Sequence, residues 1–182
     1  MKPEIVEKTS ICHCFLLLWA LLSGVASADE AYPQPRELQR DVDFWVSIFT
    51  RYATDEGVLH DNRNLAVVYE RIDMPSALSR RERQRRVETR RRPLQATLRS
   101  LASGKRNNLS DLEKSVLALW PDGVSNATLK SAAKRIRFQQ GLKNRFREGL
   151  QRSGRWRQFV DEQFTELGIP VEIAALPHVE SS

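Results

Sequence analysis

Glu180 stands at the end of an apolar stretch, Ile169 to Val179, and is followed by Ser181 and Ser182. A carboxyl group in an apolar surround holds its proton to higher pH, because burial penalises the charged form, and can then work as a general acid. Ile173, Leu176 and Val179 could form part of that surround, and Ser181 could orient the carboxylate by a hydrogen bond. A Ser after a Glu is equally simple helix-end chemistry, and a solvated carboxylate is the ordinary state of a Glu. His60-Asp61 also has the residue types of an acid/base pair, yet adjacent positions without a third partner point to a turn, so no chemistry is assigned to it. Cys12-His13-Cys14 has metal-ligand types but lies inside a hydrophobic run. Arg80 to Arg92 holds eight Arg against Glu82 and Glu88, with no aromatic among them, which argues against a base-stacking platform. A solvated helix is the favoured reading, whose guanidinium groups could still meet carboxylates.

The elements that must position these residues are mostly helices. The chain has 182 residues, 41% of them apolar, with 8 Gly and 8 Pro, enough for one modest helical core. After the extended lead Tyr32-Pro33-Gln34-Pro35, the residues Leu38, Val42, Trp45, Ile48, Phe49 and Tyr52 recur at helical spacing. That stripe predicts a core face with Trp45 inside it, although an aromatic stripe could also hold sugar rings. Asp55-Glu56-Gly57 and His60-Asp61-Asn62 punctuate a turn region, and Leu65 to Ile72 is the one stretch with strand character. The arginine-rich helix continues through Leu94, Leu98 and Leu101 to a stop at Ser103-Gly104. Ser110-Asp111-Leu112-Glu113 has the form of a capping box opening a helix that ends near Trp120. A further helix starts around Ser125 or Asn126 and carries Leu129, Ala133 and Ile136, then, past Gly141, Leu142, Phe146 and Leu150. Asn126-Ala127-Thr128 matches a glycosylation acceptor by spacing alone and carries no weight. Trp156, Phe159, Val160 and Phe164 face one way on a last helix ended by Leu167-Gly168, with Pro170 in the first turn of the next. The expected fold is mainly α, with at most one short extended segment.

The N-terminus bears on the compartment. Lys2 and Lys8 precede the apolar run Ile11 to Leu22, and Ala26-Ser27-Ala28 offers a cleavage site, so residues 1–28 read as a secretory signal peptide. An uncleaved membrane anchor is the alternative, since Glu4 and Glu7 dilute the positive flank. The mature chain would lie in the periplasm or cell envelope with no thiol, and no metal or cofactor is expected. Cleavage removes two Lys and two Glu, so the net charge of +6 (29 basic against 23 acidic residues) stays with the exported part. An exported basic protein suits an anionic envelope polymer better than nucleic acid.

Three separated segments carry a resemblance. The run Ile169-Pro170-Val171-Glu172-Ile173-Ala174-Ala175-Leu176-Pro177-His178-Val179-Glu180-Ser181-Ser182 resembles the opening of the catalytic domain of peptidoglycan lytic transglycosylases. Trp45, Phe49, Tyr52, His60-Asp61 and Val68-Tyr69-Glu70 resemble the segment that precedes that domain in the membrane-bound D-type enzymes, as does Arg135 to Trp156. The resemblance implies a helical N-terminal region over residues 29–167, then, over 168–182, the start of a truncated lysozyme-like transglycosylase domain. It makes Glu180 the catalytic acid/base, places Ser181 next to substrate, and names peptidoglycan glycan strands as the partner. The implied reaction cleaves the β-1,4 bond between N-acetylmuramic acid and N-acetylglucosamine and leaves a 1,6-anhydromuramoyl product. Because the groove that would enclose Glu180 is not in the sequence, the chain is expected to be an inactive or weakly active fragment. The alternative is a non-catalytic basic helical module that binds peptidoglycan or an envelope protein.

Overall fold

The computed structural model describes residues 35–180. Residues 1–28, read above as a signal peptide and holding Cys12 and Cys14, and the residue Ser181 lie outside the described residues. After Pro35 and a 3-10 turn (Arg36–Leu38) come α1 (Gln39–Thr50), β1 (Glu56–Asp61), β2 (Val68–Asp73) and α2 (Arg80–Ala102). Two short helices follow, α3 (Asp111–Leu117) and α4 (Asn126–Ala132), then β3 (Ile136–Gln140). The chain continues through α5 (Lys143–Ser153), a 3-10 turn (Gly154–Trp156), α6 (Arg157–Glu166), a 3-10 turn (Val171–Ala175) and α7 (Leu176–Glu180). The chain is mainly helical, as its apolar spacing predicts, but it carries a three-stranded antiparallel sheet where the sequence suggests one extended segment at most.

The strand order is β2-β1-β3, so β1 is central. Every residue of β1 is buried, Glu56, His60 and Asp61 included. Burial on both faces removes the alternation of apolar and polar residues by which a half-exposed strand is recognised. Its alternate side chains serve two cores. Val58 packs with Phe44 and Ile48 of α1 on one face, and Leu59 joins Leu94, Leu98, Leu101 and Leu129 on the other. His60 belongs to the first face, its ring 4.6 Å from that of Phe44. The strand expected over Leu65 to Ile72 is β2, with its register to β1 broken between Leu59 and His60 so that Tyr69 is the extra residue of a bulge.

The reading of Ile136 as a continuation of a helix through Leu129 and Ala133 is also corrected. The helix stops at Ala132, and Ile136 to Gln140 pair with Asp61 to Gly57 along the free edge of β1. Gly141 then allows a close approach: a Cβ there would stand 2.3 Å from the Ala53 carbonyl oxygen and 2.4 Å from that of Tyr52. At that junction the Gly141 and Leu142 N–H groups donate to the Glu56 and Ile48 carbonyls, both at 2.9 Å.

On α1 the buried residues are Phe44 and Ile48, whereas Val42 and Trp45, like Leu38 just before the helix, are exposed, Trp45 by 40%. Trp45 is therefore not core. The six-residue stripe is about 120° wide on the helix, and the sheet covers only the edge of it that holds Ile48, together with Phe44 beside it. Trp45 instead leans on Phe44 and Phe49, at 5.5 and 6.1 Å between ring centroids.

The arginine-rich stretch forms the 23-residue helix α2, opened by a capping box between Ser79 and Glu82. The Ser79 hydroxyl accepts from the Glu82 N–H at 3.3 Å, and the Glu82 carboxylate accepts from the Ser79 N–H at 2.8 Å. Pro93 sits inside α2 at an exposed position, where the lost N–H costs least, and Gly104 (φ 96°) ends it near the expected stop. The predicted box at α3 is present too. Glu113 accepts from Lys105 Nζ at 2.7 Å, the Ser110 N–H at 2.8 Å and the Ser100 hydroxyl at 2.7 Å, which together hold its carboxyl at about 2, Lys105 contributing most.

Candidate functional site

Among the described residues after Gly141, no side chain is buried. α5 leans on α1 through Phe146 and Phe49, ring centroids 5.2 Å apart, and the chain then runs out along α6. Leu150, Trp156 and Phe159 on this arm are exposed by 45 to 59%. α6 ends in a Schellman motif: Gly168 adopts φ 66°, its N–H donates to the Thr165 carbonyl at 3.1 Å, and that of Ile169 donates to the Phe164 carbonyl at 2.8 Å. That turn redirects the chain, and Pro170 caps the 3-10 turn that leads into α7.

α7 has five residues, too few to be stable as an isolated helix. It is held against α5, where the Ser153 hydroxyl and His178 Nε2 lie 3.2 Å apart. Glu180 falls in its last turn, exposed, with no hydrogen bond or ion pair to another described residue. Leu176, one turn earlier on the same side, is 54% exposed, Val179 is 49% exposed and Ile173 is half-buried. The apolar surround anticipated for the acid thus consists of a half-buried Ile173 and the exposed Leu176 and Val179, which leave Glu180 exposed.

His60-Asp61 is placed quite differently from the turn expected of it. Successive strand residues point to opposite faces, so the two side chains do not meet. His60 Nδ1 lies 3.1 Å from the Asp61 backbone oxygen, and burial against α1 lowers the imidazole pKa. Asp61 is fully buried: its Oδ2 accepts from Arg135 Nε at 3.0 Å, and Oδ1 accepts from the N–H groups of Arg63 and Asn64 at 2.8 and 2.9 Å. The turn-forming role belongs to the Asp61 side chain alone, which caps the loop after β1 while its backbone ends the strand. The pair is structural and ties β1 to the residue before β3.

Among the described residues, no group of three or more His, Cys, Asp or Glu could hold a metal ion, and no helix is long and apolar enough to cross a membrane. Asn126 is exposed at the start of α4, and its Oδ1 accepts from Arg106 at 2.9 Å. No protein-family model, curated protein or solved structure matches the chain.

Proposed function

We propose that this chain belongs to an exported peptidoglycan lytic transglycosylase, with Glu180 as its acid/base. Glu180 is an exposed carboxylate with no partner among the described residues, flanked by exposed Leu176 and Val179 on a helix that α5 holds in place, and what carries the reading is its sequence setting. The likeness of the Ile169 to Ser182 run to the opening of the transglycosylase catalytic domain gives the free acid its role.

One carboxyl group serves both steps of the proposed reaction. Protonated Glu180 donates to the glycosidic oxygen as the bond from C1 of N-acetylmuramic acid breaks, releasing the N-acetylglucosamine hydroxyl. The substrate's acetamido group stabilises the cationic centre at C1, a recognised departure from two-carboxylate glycosidases. The carboxylate of Glu180 then takes the proton of the muramoyl 6-hydroxyl, whose oxygen closes onto C1 and gives the 1,6-anhydro ring. No water is consumed, and Glu180 regains its proton.

The acid in this chain is open to solvent, so turnover is weak. The test is release of 1,6-anhydromuropeptides from purified sacculi at high chain concentration, with Glu180→Gln as the control. Slow release that vanishes in the variant supports the reading; products unaffected by the substitution would contradict it.

A further inference from the structure

Eight of the nine arginines of α2 fall into two sets. Four are tied to the fold. Arg83 donates to the carbonyls of Leu78, Pro75 and Ser76 at 3.0 to 3.3 Å, and Arg86 donates to that of Asp73 at 2.8 Å. Arg90 pairs with Glu70, and Arg91 with Glu88. Arg81, Arg85, Arg92 and Arg99 are different. At about 100° per residue they fall within about 40° of one another, on the side of the helix opposite Val87, Leu94 and Leu101. All four are exposed. Arg81, Arg92 and Arg99 have no side-chain partner among the described residues, and Arg85 lies near Glu82, whose carboxylate is engaged with Ser79.

The spacing of this stripe argues against one class of anionic partner. Arg85, Arg92 and Arg99 recur every seven residues, about 10.5 Å along the axis, with Arg81 about 6 Å before them. Duplex nucleic acid presents a phosphate about every 3.4 Å along each strand, a charge density roughly three times that of the stripe. A membrane-binding helix would set large apolar residues opposite its basic face and leave them exposed, whereas the opposite face of α2 is the protein core. Sparse carboxylates on an extended polymer match better, and the planar guanidinium fork binds a carboxylate through two parallel hydrogen bonds. We propose that the Arg81, Arg85, Arg92 and Arg99 stripe docks the stem-peptide carboxylates of a peptidoglycan strand lying along α2. This rests on the reading of the chain as a peptidoglycan enzyme and adds a binding surface remote from the acid in sequence.

The experiment is cosedimentation of the full chain with purified sacculi, native or with their carboxyl groups amidated, at low and high salt. Exposed charge contacts are each worth roughly twofold, so replacing all four arginines by Gln weakens binding about fifteenfold. Amidation of the sacculi reproduces that loss in the wild type, and high salt diminishes binding to native sacculi. A variant with Arg147, Arg152, Arg155 and Arg157 replaced by Gln removes the same charge elsewhere and loses much less. Equal loss in the two variants, undiminished binding to amidated sacculi, or preferential binding to anionic vesicles or RNA would overturn the proposal. Its failure is separable from that of the catalytic reading. If the stripe variant binds normally while anhydro release still needs Glu180, only the docking surface is wrong; if release ignores Glu180, the enzyme assignment falls whatever the binding shows.

Discussion

Replacing Asp61 should be among the most damaging single substitutions on the sheet, and the structure says by how much. The carboxylate is 0% exposed and holds three donors: Arg135 Nε at 3.0 Å and the N–H groups of Arg63 and Asn64 at 2.8 and 2.9 Å. Asp61→Ala leaves the two N–H groups and the guanidinium without an acceptor. Removing one partner of a buried ion pair costs about 3–5 kcal/mol. Arg135 keeps 23% of its side chain in contact with solvent and can partly rehydrate, which places the expected loss near the lower end, about 3–4 kcal/mol. Asp61→Asn retains one oxygen for the two N–H groups but puts an NH2 donor where Oδ2 accepted from Arg135, so it keeps the loop cap, loses the ion pair and should cost less than the Ala variant. The assay is urea unfolding followed by far-ultraviolet circular dichroism, read at constant m-value. A loss below about 1 kcal/mol for the Ala variant, or an Asn variant as damaging as the Ala variant, would refute this account of what joins β1 to β3.

Phe44→Ala should cost about 3–5 kcal/mol as a buried aromatic truncation, whereas Trp45→Ala, at a site 40% exposed, should cost about 1–2 kcal/mol; the same unfolding assay compares them. Stability should fall in two stages on acidification. His60 has a pKa lowered below its ordinary 6.5 by burial, so its contribution is complete above that value and is lost as pH drops through the folded pKa. Glu113, lowered from 4.5 to about 2, contributes above pH 4.5 and loses that contribution as pH falls towards 2. Glu113→Gln should flatten the second stage and leave the first, which thermal melts across pH will show.

The helices were legible wherever their signals are local. The Leu94, Leu98 and Leu101 spacing and the Ser110 to Glu113 capping box each act within a few residues, and both elements lie where the sequence places them. β1 was not legible. A strand containing Glu56, His60 and Asp61 is buried only because its partners arrive from afar: Arg135 lies 74 residues from Asp61, and Phe44 comes from a different helix. Ile136 satisfies helical spacing with Leu129 and Ala133, and the free edge of β1 decides the contest for a strand. On α1, spacing identified the apolar face but could not say which edge of it the sheet would cover, so Phe44 was missed and Trp45 was placed inside. Glu180 was legible as a candidate through its apolar flank and its motif. The degree of its enclosure was not, because enclosure depends on what packs over Leu176 and Val179, and a run of apolar residues in one segment does not specify that.

The most direct test of the central claim is the fate of solvent oxygen. Sacculi are digested with the chain in water enriched in oxygen-18, and the released muropeptides are weighed by mass spectrometry. Ring closure by the muramoyl 6-hydroxyl predicts unlabelled 1,6-anhydro products that disappear with Glu180→Gln. Products carrying solvent oxygen at C1, or an equal yield from the Gln variant, would contradict it.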